Sequence, residues 1–193
     1  MIIVISKPTF IDDESGLVNE LFKEGLELFH IRKPGCEKGD LINLLKGIKE
    51  EFYSRIALHQ YHEIAVEYNI NRLHFPEANR RDADVVKLKE QYILSTSTHS
   101  LNDFNYDLNA YDYCFYGPVF NSISKKGYRK MESMEIDEIK KLYRGKIIGI
   151  GGIDNDNMQL LKQKAYNGAA LLGYIWERPE HALSNFNQIK TKW

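Results

Sequence analysis

Four histidines lie in or just beyond apolar, strand-like segments, the second to the fifth of the chain: His30, His59, His74 and His99. An imidazole with a pKa of about 6.5 can act as acid or base at neutral pH, or bind a metal ion through a ring nitrogen. No His-x-His spacing or carboxylate pair accompanies these residues, so the sequence assigns no metal ligand. Alternatively, His74 and His99 satisfy backbone groups at strand ends. The pattern leaves both interpretations open.

Arg32 follows His30 by two residues in "LELFHIRK". In a strand, this spacing directs both side chains to the same face. A guanidinium at the end of a buried strand needs a partner, because an unpaired charge is costly to bury. The partner is either an anionic ligand or a carboxylate from a neighbouring strand, and the sequence does not separate these two.

Two glycine-bearing segments near the end of the chain predict a phosphate site. In "KIIGIGGIDNDNM", Gly151 and Gly152 follow a buried strand, and in "ALLGYIW", Gly173 follows the next strand, which ends at Leu172. Main-chain N–H groups that are not covered by a side chain can bind phosphate oxygens. The other interpretation is that the turn needs backbone angles that only glycine tolerates.

A basic segment follows the sixth strand in "YGPVFNSISKKGYRK". Ser122, Ser124 and Lys125 combine hydroxyl and ammonium groups, which together can hold phosphate oxygens while a loop closes over a site. The alternative is a solvated surface loop.

The elements that must position these residues alternate along the chain. We predict eight strands, which are Ile2–Ile5, Leu26–Ile31, Arg55–Leu58, Arg72–Phe75, Tyr92–Thr96, Tyr113–Tyr116, Lys146–Ile150 and Ala169–Leu172. Helical periodicity between them (Leu41, Leu44, Leu45, Ile48 and Phe52 in one segment) predicts covering helices. Eight such units favour a single α/β domain over residues 1–193, a (β/α)8 TIM barrel, with a doubly wound open sheet as the alternative.

The bulk composition narrows the classes of function. Lys and Arg total 26 against 27 Asp and Glu, a balance that argues against a nucleic-acid or membrane-surface binder. Cys36 and Cys114 form no spaced motif and are expected to be thiols in a reducing compartment. With no apolar run of membrane length and no signal-like start, we expect a cytoplasmic protein. Whether it forms a homo-oligomer is left open.

These segments together resemble the thiamine-phosphate synthase and TenI-type thiazole tautomerase superfamily. The resemblance is carried by "LFHIRK", "STSTHS", "YDYCFYGPVFNSISKKG", "IIGIGGI" and "NGAALLGYIW", in order over nearly the whole chain. It implies a phosphate-binding barrel. In the synthase, that barrel joins hydroxymethylpyrimidine diphosphate to a thiazole phosphate with the help of Mg²⁺.

The resemblance also implies roles for individual residues. Arg32, Ser97 and Lys125 would hold the diphosphate, and Ser122 and Ser124 match the paired threonines of the family. The thiazole phosphate would be held by main-chain N–H groups at the two glycine segments. The further substrate-binding candidates are His30, His59 and His74. The catalytic candidates are Arg32, Lys125, His99 and His30.

This chain departs from the synthase pattern at the metal positions, where Gln60 and Asn79 replace the expected magnesium carboxylates. That change resembles the tautomerase branch, which moves a proton on the thiazole ring. The catalytic histidine of that branch corresponds to Pro118 here, so His99, His30 or His74 would have to act as the base. Two further hypotheses are a binder without catalysis and an unrelated phosphate-binding barrel such as a sugar-phosphate isomerase.

Overall fold

Eight parallel strands close into a barrel in the computed structural model, which describes residues 1–80, 84–105, 108–120 and 133–193. Each strand pairs with its neighbours in chain order, and the first strand pairs with the eighth. The strands are β1 (Ile2–Ile5), β2 (Leu28–Ile31), β3 (Ile56–Leu58), β4 (Arg72–Phe75), β5 (Ile93–Thr98), β6 (Tyr113–Tyr116), β7 (Lys146–Ile150) and β8 (Gly168–Leu171). The predicted TIM barrel is confirmed and the open sheet is excluded.

Four strands have the predicted bounds, and the other four differ by one or two residues at one or both ends. β5 shows the largest extension, because it continues through Thr98 instead of ending at Thr96. Its register with β6 pairs Ser97 with Phe115 and Thr98 with Tyr116. A polar run therefore continues the strand where the apolar pattern had predicted its end.

Alternation along each strand divides the apolar residues into two sets. Val4, Phe29 and Leu58 belong to the large core between the strands and the surrounding elements. Ile3, Leu28 and Ile148 belong to a second buried cluster that fills the lumen of the barrel. Burial on both faces explains why these strands read as nearly continuous apolar runs.

Helices cover the outside of the barrel. They are α1 (Glu14–Lys23), α2 (Lys38–Gly47), α3 (Val85–Lys89), α4 (Ser133–Leu142), α5 (Met158–Gln163), α6 (Gly173–Trp176) and α7 (Ala182–Lys190). In the described ranges, β3 and β5 are followed by short 3-10 helices, His62–Ile64 and Leu101–Asn105, rather than by α-helices. No helix in the described ranges has the length and apolar character needed to cross a membrane.

One predicted helix was too long. The apolar stripe extends through Ile48 to Phe52, but α2 ends at Gly47, and Phe52 lies in a separate 3-10 helix, Glu50–Arg55. Ile48 has extended backbone angles and still buries its side chain in the core. The periodicity therefore reported burial correctly but did not reveal the break in the helix.

Candidate functional site

Three of the four predicted histidines meet inside the barrel. His30 on β2, His59 directly after β3 and His74 on β4 occupy lumen-facing positions of adjacent strands. The rings of His59 and His74 stack with centroids 3.9 Å apart, and the ring of His30 lies 5.2 Å from His59 and 5.6 Å from His74. We call these three residues the lumen histidines.

Hydrogen bonds hold the rings of His30 and His74 in place. His30 has its Nδ1 3.0 Å from Nε2 of His59 and its Nε2 2.8 Å from the hydroxyl of Tyr113. His74 has its Nδ1 2.9 Å from Oγ of Ser95 and its Nε2 3.0 Å from Oγ of Ser97. The suggestion that His74 caps backbone groups is wrong, because both of its nitrogens bond to serine hydroxyls.

All three lumen histidines are held in the neutral form. Burial, followed by the neighbouring histidines and arginines, lowers the pKa of His30 and His59 well below 6.5. Burial also lowers the pKa of His74 to about 3, and His62 and Arg32 contribute to that shift. Neutral imidazoles at physiological pH accept protons or bind metal ions through the nitrogen that carries the lone pair.

Arg32 lies at the carboxyl end of β2 with an exposed side chain, and no ion pair of Arg32 occurs within the described ranges. Its backbone is fixed by Ser6, whose hydroxyl oxygen accepts from the Arg32 N–H (2.8 Å) and donates to the Arg32 carbonyl (3.0 Å). The proposed salt bridge to a neighbouring strand is therefore absent from this part of the chain. The guanidinium stays available to an anion.

Lys33, the next residue, has a different environment. Its ammonium group is fully buried and donates to both carboxylate oxygens of Glu14 at 2.7 and 2.6 Å, and to the carbonyls of Lys7 and Thr9. Burial lowers the pKa of Lys33 and raises that of Glu14, and their pairing offsets part of both shifts. This pair connects the loop after β1 to the end of β2.

His99 lies apart from the lumen histidines, exposed after β5. Its Nδ1 donates to the carbonyl oxygen of Gly117 at 2.8 Å, so the suggestion that it satisfies a strand-end backbone group is supported. In the neutral ring the lone pair then resides on Nε2, which is 4.0 Å from a carboxylate oxygen of Glu77. His99 therefore presents a basic nitrogen beside position 118.

The turn after β7 needs glycine both for its backbone angles and for a close approach of another segment. Gly151 and Gly152 have φ angles of +97° and +63°, which side-chain-bearing residues rarely adopt. The segment after β6 also crosses close to them, and a Cβ at Gly152 would lie 2.6 Å from the carbonyl oxygen of Phe120. The N–H of Val119 donates to Ile150 and that of Phe120 to Gly151, so this crossing is fixed by two backbone hydrogen bonds.

The segment after β8 lies beside this turn, because Ile150 pairs with Ala170. Gly173 is exposed, and a Cβ there would meet nothing within 4 Å. Within the described ranges, the N–H groups of Gly151, Gly152, Leu172 and Gly173 donate no hydrogen bond. These are the groups that the sequence predicts to bind phosphate.

The residues at the predicted metal positions do not suit Mg²⁺. The side-chain amide of Gln60 bonds to the backbone of Lys33 through both ends, with Nε2 donating to the carbonyl at 2.6 Å. Asn79 is exposed, and Glu77 is a carboxylate two residues before it in the same loop. Mg²⁺ is usually held by one or two carboxylates together with substrate phosphates. The described residues do not form the carboxylate pair that the resemblance implies.

Three predicted residues, Ser122, Ser124 and Lys125, lie outside the described ranges. Among the described residues, sequence reasoning missed the roles of Tyr113 and Ser95, whose hydroxyls hold the rings of His30 and His74. The sequence signal that could have revealed these roles was the alternation of inward-facing and outward-facing residues along each strand. His30, His74, Ser95 and Tyr113 occupy the inward-facing positions of their strands, so a closed barrel directs them to one lumen.

Comparison with known proteins identifies the family. The family model described as thiamine monophosphate synthase matches residues 1–175. A thiamine-phosphate synthase from Clostridium tetani is 24% identical over 169 residues, covering 84% of this chain and 80% of that protein. Another from Oceanobacillus iheyensis is 24% identical over 186 residues, covering 92% of this chain and 90% of that protein.

Solved structures agree with the family match. The crystal structure of a thiamine phosphate pyrophosphorylase from Bacteroides thetaiotaomicron superposes with a TM-score of 0.81 at 26% identity, covering 99% of this chain and 96% of that one. One from Pyrococcus furiosus gives a TM-score of 0.80 at 16% identity, covering 99% of this chain and 94% of that one, and shows the shared fold. From the match of the family model over residues 1–175, the chain belongs to the thiamine monophosphate synthase family.

Proposed function

We propose that this protein acts in thiamine biosynthesis as a transferase that binds a thiazole phosphate and joins it to hydroxymethylpyrimidine diphosphate. One observation carries the proposal: two kinds of anion donor lie at the same end of one barrel. Arg32 has no ion pair in the described ranges, and the N–H groups of Gly152 and Gly173 have no acceptor there. Two anionic groups on two substrates account for both sets of donors.

In this proposal, the N–H groups after β7 and β8 hold the thiazole phosphate. Arg32 and Ser97, from the ends of β2 and β5, hold the diphosphate of the second substrate. The bond from the pyrimidine methylene carbon to the diphosphate oxygen breaks, the carbon bonds to the thiazole, and the diphosphate leaves with the electron pair. Arg32 stabilises the negative charge that develops on this leaving group. Lys125 keeps the diphosphate-binding role implied by the resemblance, and Ser122 and Ser124 keep the positions of the paired threonines of the family.

We assign no step to Mg²⁺, because Gln60 and Asn79 do not supply carboxylates. The test is an assay of the full chain with both substrates, with and without added Mg²⁺, in which thiamine phosphate and released diphosphate are measured. We expect both products in equal amounts. Absence of thiamine phosphate at high enzyme concentration, with Mg²⁺ present, would rule out coupling.

A second candidate function is proton transfer on the thiazole ring, and the position of His99 favours it. Its Nδ1–H bond to Gly117 places the ring beside Pro118, where the tautomerase branch has its catalytic histidine. A neutral His99 with the lone pair on Nε2 can remove a proton from a bound ring. Exchange of a thiazole ring proton with solvent deuterium, measured by NMR and lost in His99→Gln, is the expected result. No exchange in the wild-type protein would exclude it.

A binder without catalysis gives a third pattern in the same experiments. Thiazole phosphate would then stabilise the fold by mass action, by about 2.7 kcal/mol at a hundredfold excess over Kd. Neither product formation nor proton exchange would accompany this stabilisation. If no phosphorylated thiazole changes the melting temperature, all three candidate functions are contradicted.

A further inference from the structure

The lumen histidines form the one group of three or more metal-ligand side chains that the described ranges bring together. One ring nitrogen from each of His30, His59 and His74 lies within 4.8 Å of the other two. We propose that these three residues bind a divalent transition-metal ion, with Zn²⁺ the best match, and leave one coordination position open toward the mouth of the barrel. This inference does not rest on the proposed function.

The distances suit a small ion. Zinc–nitrogen bonds of about 2.0–2.1 Å in a tetrahedral site place the ligand nitrogens about 3.4 Å apart. Nδ1 of His30 and Nε2 of His59 are 3.0 Å apart, already close to this separation. His74 stacks on His59 with ring centroids 3.9 Å apart. Because stacked rings direct their lone pairs in nearly parallel planes, His59 and His74 must rotate out of this stack for three lone pairs to meet on one ion.

The hydrogen bonds around the rings direct lone pairs inward. Ser95 donates its hydroxyl proton to the carbonyl of Leu73 at 3.3 Å, so its oxygen accepts the Nδ1–H of His74. The lone pair of neutral His74 is then on Nε2, which lies 3.0 Å from the hydroxyl of Ser97, so a metal ion bound there displaces that hydrogen bond. Similarly, if Nε2–H of His30 donates to the oxygen of Tyr113, the lone pair of His30 is on Nδ1, facing His59.

This is the arrangement that metal-binding histidines commonly show, with the remote ring N–H held by an oxygen that fixes tautomer and orientation. Two lone pairs facing each other at 3.0 Å repel unless a cation lies between them or one nitrogen carries a proton. The competing arrangement is therefore an N–H···N hydrogen bond between His30 and His59 without a metal. The two arrangements differ in a measurable quantity, the stoichiometric uptake of metal.

The donor set selects the class of metal. Neutral imidazole nitrogens suit Zn²⁺ and neighbouring transition metals, whereas Mg²⁺ and Ca²⁺ prefer oxygen ligands. In the described ranges, no carboxylate or thiolate hydrogen-bonds to the lumen histidines. The bound ion would keep its double positive charge, and Arg32 adds another nearby. An anion is therefore the expected fourth ligand, entering past His59, which is only partly buried.

The test uses the full chain, stripped of metal by a chelator and titrated with Co²⁺ in the absence of substrates. Co²⁺ reports its own coordination through visible absorption. We expect one Co²⁺ per chain, a spectrum typical of four or five nitrogen and oxygen ligands, and displacement by one equivalent of Zn²⁺. In His59→Gln and His30→Gln, we expect Co²⁺ affinity to fall at least about 100-fold. Tyr113→Phe should weaken it about 10- to 100-fold.

The matched control is His181→Gln, because His181 is exposed and lies outside the barrel lumen. This variant should bind Co²⁺ like the wild-type protein. Circular dichroism identifies any variant that does not fold. If His30→Gln does not fold, Tyr113→Phe still tests the site, because phenylalanine keeps the aromatic volume of Tyr113. The proposal is overturned if the wild-type protein takes up no stoichiometric metal, or if His59→Gln and Tyr113→Phe bind as tightly as wild type. Because no substrate is present, failure here leaves the coupling reaction untouched.

Discussion

Two neighbouring cations after β2 show how different the environments of adjacent residues are at the mouth of the barrel. Lys33 is buried against Glu14 and holds the loop after β1, whereas Arg32 is exposed and without an ion pair in the described ranges. Both residues follow the last residue of β2, and the ammonium group of Lys33 turns toward Glu14 and the loop after β1. Lys33 therefore has a structural role, and the binding role proposed for Arg32 can be tested.

Replacing Arg32 with glutamine should weaken the binding of inorganic diphosphate. Loss of a hydrogen bond to a charged group costs about 1.5–3 kcal/mol, so Kd should rise about 10- to 150-fold. Isothermal titration calorimetry of the full chain measures this. Arg144→Gln is the control, because Arg144 is exposed before β7, at the opposite end of the barrel. Equal affinities in the two variants would contradict the role of Arg32.

For individual residues, the sequence predicted which side chains belong to the site and which face of a strand they lie on better than it predicted their contacts. The alternating pattern predicted that His30 is on an inward face, and its register with Ala57 agrees, whereas Arg32 lies beyond the last paired residue of β2. The sequence could not reveal that His59 would stack on His74, or that His99 would bond to Gly117, because these contacts depend on ring rotations and loop paths. Such details are fixed only when neighbouring strands are in register.

At the scale of elements, the turn after β7 is held by close packing against the segment that follows β6. Gly152→Ala should lower the free energy of unfolding by at least about 1–2 kcal/mol, because alanine is strained at positive φ and its Cβ would meet Phe120. The matched variant is Gly173→Ala, where a Cβ meets nothing within 4 Å. Alanine there should leave stability unchanged or raise it by up to about 1 kcal/mol. Urea denaturation of both variants provides the comparison, and equal stabilities would contradict the assigned crossing.

The buried pair of Glu14 and Lys33 joins α1 to the end of β2, and its energy can be isolated. Glu14→Gln or Lys33→Met alone should cost about 3–5 kcal/mol, since each leaves an uncompensated buried group. The double variant should recover part of this loss. Lys38 and Glu63 form an exposed pair, with Nζ of Lys38 3.0 Å from Oε1 of Glu63. A double-mutant cycle of this pair should give a coupling energy of about 0–1 kcal/mol. A coupling no larger for the buried pair would mean that the pair does not hold the loop.

Element boundaries show where sequence patterns stop being informative. The eight strands were predictable because runs of Ile, Val and Leu buried on both faces have few alternative structures. The end of α2 at Gly47 was not, because Ile48 and Phe52 continue the same apolar spacing in a different backbone conformation. Apolar spacing indicates which positions are buried in the core. Both an α-helix and a 3-10 helix can provide such buried positions, so the spacing does not distinguish them.

For the whole molecule, closure of the barrel brings polar residues from five strands into one enclosed space. Pairing of β1 with β8 completes the ring, and the indole N–H of Trp176 donates to the carbonyl of Ile5 at 2.7 Å across this junction. Inside, apolar side chains such as Ile3 and Ile148 fill one layer. The lumen histidines lie among the polar lumen residues and remain neutral, so the barrel encloses titratable groups without enclosing charge.

This neutrality makes the stability of the metal-free protein depend on pH in a definite direction. The pKa values of the three rings lie below 6.5 in the folded chain, down to about 3 for His74, and return to about 6.5 on unfolding. Below pH 6.5 the unfolded chain therefore binds more protons than the folded one. The free energy of unfolding of the metal-free protein should therefore fall with decreasing pH, by about 1.4 kcal/mol per pH unit for each histidine. Above pH 7 the contribution of the three histidines should be constant.

Urea denaturation with a chelator present, at intervals from pH 7.5 to 5, measures this slope. His59→Gln removes one of the three groups, so its slope should be smaller by about 1.4 kcal/mol per pH unit. His181→Gln should keep the wild-type slope, because His181 is exposed and lies outside the barrel lumen. A wild-type slope no steeper than that of His59→Gln would mean that His59 takes up its proton at the same pH in the folded barrel as in the unfolded chain. The three lumen rings would then not all stay neutral at pH 5.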